Sequence, residues 1–198
     1  WEQLQLPLAR QVFIKAGYCA PNTLLPAPVL EAMLEDDAET LALDEALSDL
    51  LGLGLLKEGP AVHPLLAQFA RGLDEESELL AEFSVAFSKR ANQTNHETDR
   101  TGNYGLYTPL LPHVRAVAEK AETAGLEKAG TLWNSLGYHI SDLADYAGAK
   151  AAYERALKID EAAYGPDHPK VAIRVNNLGG VLKDLGDLAG AKAAYERA

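Results

Sequence analysis

The sequence predicts a mainly α-helical chain: a small helical unit with a two-strand β-wing, followed by an α–α superhelix of repeated helix pairs. Three observations lead there. Asp145–Ala156 (DYAGAKAAYERA) returns 42 residues later as Asp187–Ala198 (DLAGAKAAYERA), with eleven of twelve positions identical. Apolar residues recur at helical spacing along most of the chain. Before residue 74, three helix-like segments precede two short apolar runs about Gly59-Pro60 and a fourth helix-like segment.

The repeat extends upstream, since Leu132–Ala144 (LWNSLGYHISDLA) aligns without a gap on Arg174–Gly186 (RVNNLGGVLKDLG). Each unit therefore reads as helix, tight turn, helix. In the first helices, Trp133, Leu136, Gly137 and Ile140 fall on one face, and Val175, Leu178, Gly179 and Leu182 repeat the spacing. A glycine inside a helix costs roughly 1 kcal/mol against alanine, so two at one register predict a neighbouring helix too close for a Cβ. In the second helices, Ala149, Tyr153 and Ala156 recur as Ala191, Tyr195 and Ala198, small holes around one aromatic knob.

Over Thr131–Ala198 this pattern resembles the tetratricopeptide repeat: a large apolar residue, Leu-Gly, an aliphatic, then Ala, an aromatic and Ala. The usual unit is ~34 residues; the 42-residue period resembles the longer kinesin-light-chain type found in bacterial signalling proteins. The additional residues fit a second helix running through Ala163 to a stop at Gly165, with Asp167 capping the next helix ahead of Pro169. Stacked units line their concave side with first helices. The positions expected to face that groove are Asn134, Tyr138 and Ser141, then Asn176, Gly180 and Lys183. The resemblance implies that Asn134 and Asn176 grip the backbone of a bound protein or peptide.

Taken in order, residues 1–73 form the first unit. Leu6–Ala20 is a helix with Leu8, Val12, Phe13 and Ala16 inward, and a three-proline break leads to a short helix over Val29–Glu35. Asp36–Asp37 begins an acidic link to a third helix, Thr40–Leu51, burying Leu43, Ala46, Leu47 and Leu50. Strands over Leu55–Lys57 and Ala61–His63 make the wing, and Pro64 opens the fourth helix. The order describes a winged-helix domain. Residues 74–130 read as a helical adaptor or degenerate repeat: a helix over Glu75–Gln93, a polar loop TNHETDRTGNYG, and a helix over Thr108–Ala124 stopped by Gly125. Residues 131–198 hold the two repeat units, the second cut at Ala198. A start at Trp1 and a stop within a helix lead us to expect a longer natural protein.

Charge narrows the function. The net charge of −11 is concentrated in the first two parts. The third helix, where a DNA reader would carry bases, instead has Asp44, Glu45 and Asp49. Nucleic acid is not an expected partner. No apolar run reaches the ~18 residues of a membrane span, so no membrane contact is expected. A single cysteine, Cys19, leaves no internal disulfide and fits a reducing, cytoplasmic setting. His63, His96, His113, His139 and His168 never pair at i, i+4, and no nucleophile constellation is present. Neither a metal nor catalysis is expected.

LSDLLGLGLLKEGPAVHPLLAQFAR resembles the winged-helix segment of bacterial STAND-class NTPases of the NB-ARC type. In that class a histidine here approaches the phosphate of bound ADP. Val62-His63-Pro64 keeps the histidine but places proline where the acidic residue stands. The resemblance implies that His63 senses ADP or ATP held by an upstream nucleotide-binding domain, although no G-x-x-x-x-G-K-[ST] loop lies in this chain. The expected function is a sensor: the repeats bind a protein or peptide trigger and couple it to the nucleotide switch. Self-association through the open repeat end is a further expected contact. The alternatives are a DNA-binding regulator with a peptide-sensing repeat domain, and a plain repeat scaffold.

Overall fold

In a computed structural model of the chain, Leu4, residues 6–34 and residues 40–198 are described. Ten α-helices and two short 3₁₀ turns account for most of them. The acidic link at Asp36–Asp37 lies outside the described residues.

Helix α1, Pro7–Tyr18, starts on a proline whose missing N–H costs nothing in a first turn. Its apolar face buries Val12, Phe13 and Ala16. Helix α2, Ala27–Glu31, also starts after a proline and is shorter than the expected Val29–Glu35. Helix α3 spans Thr40–Gly52 and α4 spans Pro64–Gly72. Gly17 lets α4 press on α1, since a Cβ there would lie 2.7 Å from that of Ala70. Arg71 then donates to the Gly17 carbonyl at 2.6 Å.

The expected β-wing is corrected. Among the described residues there is no strand, and Lys57 and Ala61 form one isolated antiparallel bridge. The backbone groups a second rung would use are committed elsewhere. Leu55 and Leu56 donate back to the Leu50 carbonyl at the end of α3, while Pro60 and Val62 accept from Leu25 and Asn22. Gly59, at φ +64°, makes the turn, and Pro60 has no N–H to offer.

Helix α5 runs Glu78–Thr101. Asp74 rather than a conventional cap residue satisfies its start, accepting from the Leu79 and Leu80 N–H groups and from the Tyr18 hydroxyl. The predicted loop from Thr94 is mostly helix. Along α5 the buried face changes from apolar to polar: Leu80, Phe83, Phe87 and Ala91 give way to Thr94, Asn95 and Thr98. Thr94 and Thr98 donate to carbonyls one turn back, and Asn95 donates to the carbonyl and hydroxyl of Ser135. Tyr107 reaches the same Ser135 hydroxyl at 2.9 Å. Two 3₁₀ turns, Tyr104–Leu106 and Thr108–Leu110, lead into α6, Leu111–Thr123. His113, buried on α6, bonds the Leu24 carbonyl at 2.8 Å and fastens this part to the first unit.

The repeats follow as α7 (Lys128–Asp142), α8 (Tyr146–Tyr164), α9 (Pro169–Asp184) and α10 (Leu188–Arg197). Asp145 and Asp187 cap the second helices by accepting from Gly148 and Gly190. Gly165, at φ +83°, ends α8 as expected. His168, not Asp167, caps α9, its Nδ1 accepting from the Lys170 N–H at 3.2 Å. The repeated glycines mark close approaches: a Cβ on Gly137 would lie 2.9 Å from the Tyr153 ring, and one on Gly179 2.9 Å from the Tyr195 ring. One continuous apolar core runs from Leu4 through the first helices into α8 and α9.

Candidate functional site

Because the aromatic knobs of α8 and α10 seat on glycines, the first helices α7 and α9 are left side by side with a hollow between them. This cavity, about 230 Å³, is walled by Tyr138, Ser141 and Asp142 from α7 and by Asn176, Gly180 and Asp184 from α9. Tyr153 and Tyr195 close it from the second helices.

Four of the predicted groove positions, Tyr138, Ser141, Asn176 and Gly180, are therefore brought together. Asn134 is not among the cavity residues; its side-chain carbonyl accepts from Asn177 at 2.8 Å, which ties α7 to α9. Lys183 lines a separate hollow with Leu188, Ala191 and Tyr195 at the α9–α10 end. The sequence reading missed Asp142, Asp184 and Tyr153. Their signal was present, since Asp142 and Asp184 stand 42 residues apart at one register of the repeat.

The electrostatics are one-sided. Tyr138 donates to Asp99 on α5 at 2.9 Å. Burial, that bond and the charges of Asp99 and Asp142 push its hydroxyl up to about 12. Burial, with Asp99 nearby, also raises the Asp142 carboxyl above its ordinary value. Tyr153 is 3 % exposed. Its hydroxyl is raised by desolvation, then by Asp142 and Tyr138, with Arg174 acting the other way, and it has no hydrogen-bond partner among the described residues. Among the described residues no lysine or arginine lines the cavity. The nearby Arg174 is held by Asp160.

The remaining histidines have local roles. His63 caps α4, its Nδ1 accepting from the Leu65 N–H at 3.2 Å. His168-Pro169 repeats that geometry at the start of α9. His96, expected in a loop, sits exposed on α5. His139 is buried against Tyr107, ring centroids 4.4 Å apart, with neither nitrogen bonded. Cys19 is buried and free, and burial raises its thiol well above the ordinary range. Among the described residues no group of three or more His, Cys, Asp or Glu is placed to hold a metal, and no helix is long and apolar enough to cross a membrane.

A stack of helix pairs with a polar groove and tightly seated knobs belongs to the class of helical-repeat interaction modules. The tetratricopeptide repeat family model matches residues 128–198, the segment from α7 to the end of α10. Such repeats imply a protein-interaction scaffold. No curated protein matches the chain.

Proposed function

We propose that the chain is a non-catalytic interaction module whose repeat groove binds an extended protein or peptide segment. One observation carries the reading: Tyr138, Ser141 and Asn176 converge on a cavity between α7 and α9. An amide such as Asn176 can donate to and accept from a peptide backbone, giving affinity with little dependence on sequence. The hydroxyls of Tyr138 and Ser141 add orientation. Random peptides displayed on phage and selected on the immobilised chain test this. Selected peptides should lose about tenfold in affinity when Asn176→Ala removes two hydrogen bonds, and keep it when exposed Lys158 is replaced by Ala. Equal losses at both positions, or none at Asn176, would remove the groove from the reading.

The finer proposal, resting on the resemblance of the first unit, is that the repeats act as the sensor of a STAND-type NTPase. A trigger bound in the groove would bias the nucleotide state of an ATPase module on the same polypeptide, which requires different affinity for two conformations. What supports a role for His63 is its tautomer. With Nδ1 accepting from Leu65, a neutral ring carries its proton on Nε2 and can donate to a phosphate oxygen. The matching cap at His168 shows that the same geometry also serves as a plain helix start. In a polypeptide containing the ATPase module, His63→Asn keeps an acceptor for the cap but loses the imidazole. Unchanged ADP affinity in that variant would sink the sensor role.

A further inference from the structure

We propose that the groove is specific for a basic segment: it receives a lysine or arginine side chain of an extended peptide between Asp142 and Asp184, over the hydroxyl of Tyr153. This rests on the peptide-groove reading and names the partner's chemistry.

Three observations on the cavity point the same way. Among the described residues its only formally charged lining groups are the carboxylates Asp142 and Asp184. Asp99 adds a third carboxylate through its bond to Tyr138. Among the described residues no lysine or arginine lines the cavity to answer them: Lys183 faces another hollow, and Arg174, whose charge is felt at Tyr153, is paired with Asp160. The Tyr153 hydroxyl supplies an independent sign. It belongs to a residue 3 % exposed that lines the cavity, and it has no hydrogen-bond partner among the described residues. Its lone pairs are free to accept from a donor arriving in the groove. A guanidinium has five donors in a planar fork and an ammonium has three, so either meets a carboxylate and a phenol together. The register agrees as well. Asp142 and Asp184 occupy the same place in successive repeats, so an extended basic chain meets a carboxylate at each unit.

Repulsion between Asp142 and Asp99 favours the same occupant. Part of the elevation of the Asp142 carboxyl comes from Asp99, and a bound cation would lower it again. An acidic peptide would bring further like charge into a groove with no base to receive it.

The test uses a fluorescein-labelled peptide of alternating arginine and serine, compared with glutamate–serine and glycine–serine peptides, by fluorescence anisotropy at low and physiological salt. The arginine peptide should bind and the glutamate peptide should not. Asp142→Asn with Asp184→Asn should weaken binding about tenfold, because charge-assisted bonds become neutral ones. Glu75→Gln with Glu76→Gln removes the same charge outside the groove and should change binding less than about twofold, as screened charges do. Tyr153→Phe should weaken binding about threefold while leaving the melting temperature unchanged, since the deleted hydroxyl has no protein partner among the described residues. Equal weakening by the two double variants would mean non-specific attraction and overturn the proposal, as would no binding of the arginine peptide. If phage-selected neutral peptides lose affinity with Asn176→Ala while the Asp142/Asp184 double variant binds as before, the general groove stands and its basic specificity falls.

Discussion

Arg174 on α9 donates from Nε to Asp160 Oδ2 on α8 across 2.8 Å, and both side chains are almost wholly buried. The pair locks the second helix of one repeat to the first helix of the next. Gly130 on α7 leaves room for it, because a Cβ there would overlap the Asp160 carboxylate. A buried pair is costly to break from one side, since the surviving charge stays desolvated. Arg174→Ala should therefore destabilise the chain by about 3–5 kcal/mol in urea unfolding. Asp160→Leu with Arg174→Met should recover most of that loss. A single variant no worse than the double one would mean the pair does not organise the repeat junction.

The two repeat glycines should respond differently to the same substitution. Alanine gains up to about 1 kcal/mol of helix propensity over glycine. At Gly137 the new methyl meets Tyr153, which is buried and cannot yield, so overpacking of about 1–3 kcal/mol prevails and the variant loses stability. At Gly179 it meets Tyr195, which is 44 % exposed and free to swing out. Gly179→Ala should be neutral or mildly stabilising. Thermal unfolding of the two variants side by side decides, and equal destabilisation would contradict the account.

Acid should loosen the fold through two buried histidines. Desolvation lowers His139 and His113 below the ordinary 6.5, the first only partly offset by Asp99 and the second by its bond to Leu24. The unfolded chain then binds protons that the folded chain refuses, so stability is full above about 6.5 and declines as pH falls toward the folded values. Asp142 works the other way, because its raised carboxyl favours the folded state on protonation. Urea midpoints at about pH 8 and about pH 5 measure the difference. His139→Phe keeps the stack on Tyr107 and should reduce the acid loss; an unchanged loss would clear His139 of the effect.

His63 and His168 form equivalent caps ahead of Pro64 and Pro169. Replacing either by Ala should cost about 1 kcal/mol and by Asn much less, because asparagine supplies the same kind of acceptor. Thermal melts of the four variants check this. A large loss at His63 alone would assign it a packing role that the geometry does not give it.

The repeat half was legible because its chemistry recurs. Gly137 and Gly179 called for a close neighbour, and Tyr153 and Tyr195 are that neighbour. The end of α5 was not legible, because residues 94–101 bury polar groups bonded to Ser135 and to their own helix, a pattern that reads as solvent-facing loop. The wing failed for a related reason: hydrogen bonds to Leu50, Asn22 and Leu25 displaced the strand ladder, and no local preference announces such partners. In the groove, register put Tyr138, Ser141, Asn176 and Gly180 on one side, and the structure sets them around one cavity. It could not reveal that Asn134 would be engaged by Asn177, or that Lys183 would open elsewhere.

The most direct test of the groove is an amide chemical-shift map of the labelled chain titrated with a phage-selected peptide. The account predicts shifts at Tyr138, Ser141, Asp142, Asn176, Gly180 and Asp184, the residues that wall the cavity. Shifts confined to residues 7–72, or to the exposed face of α8, with the cavity amides unmoved, would contradict it.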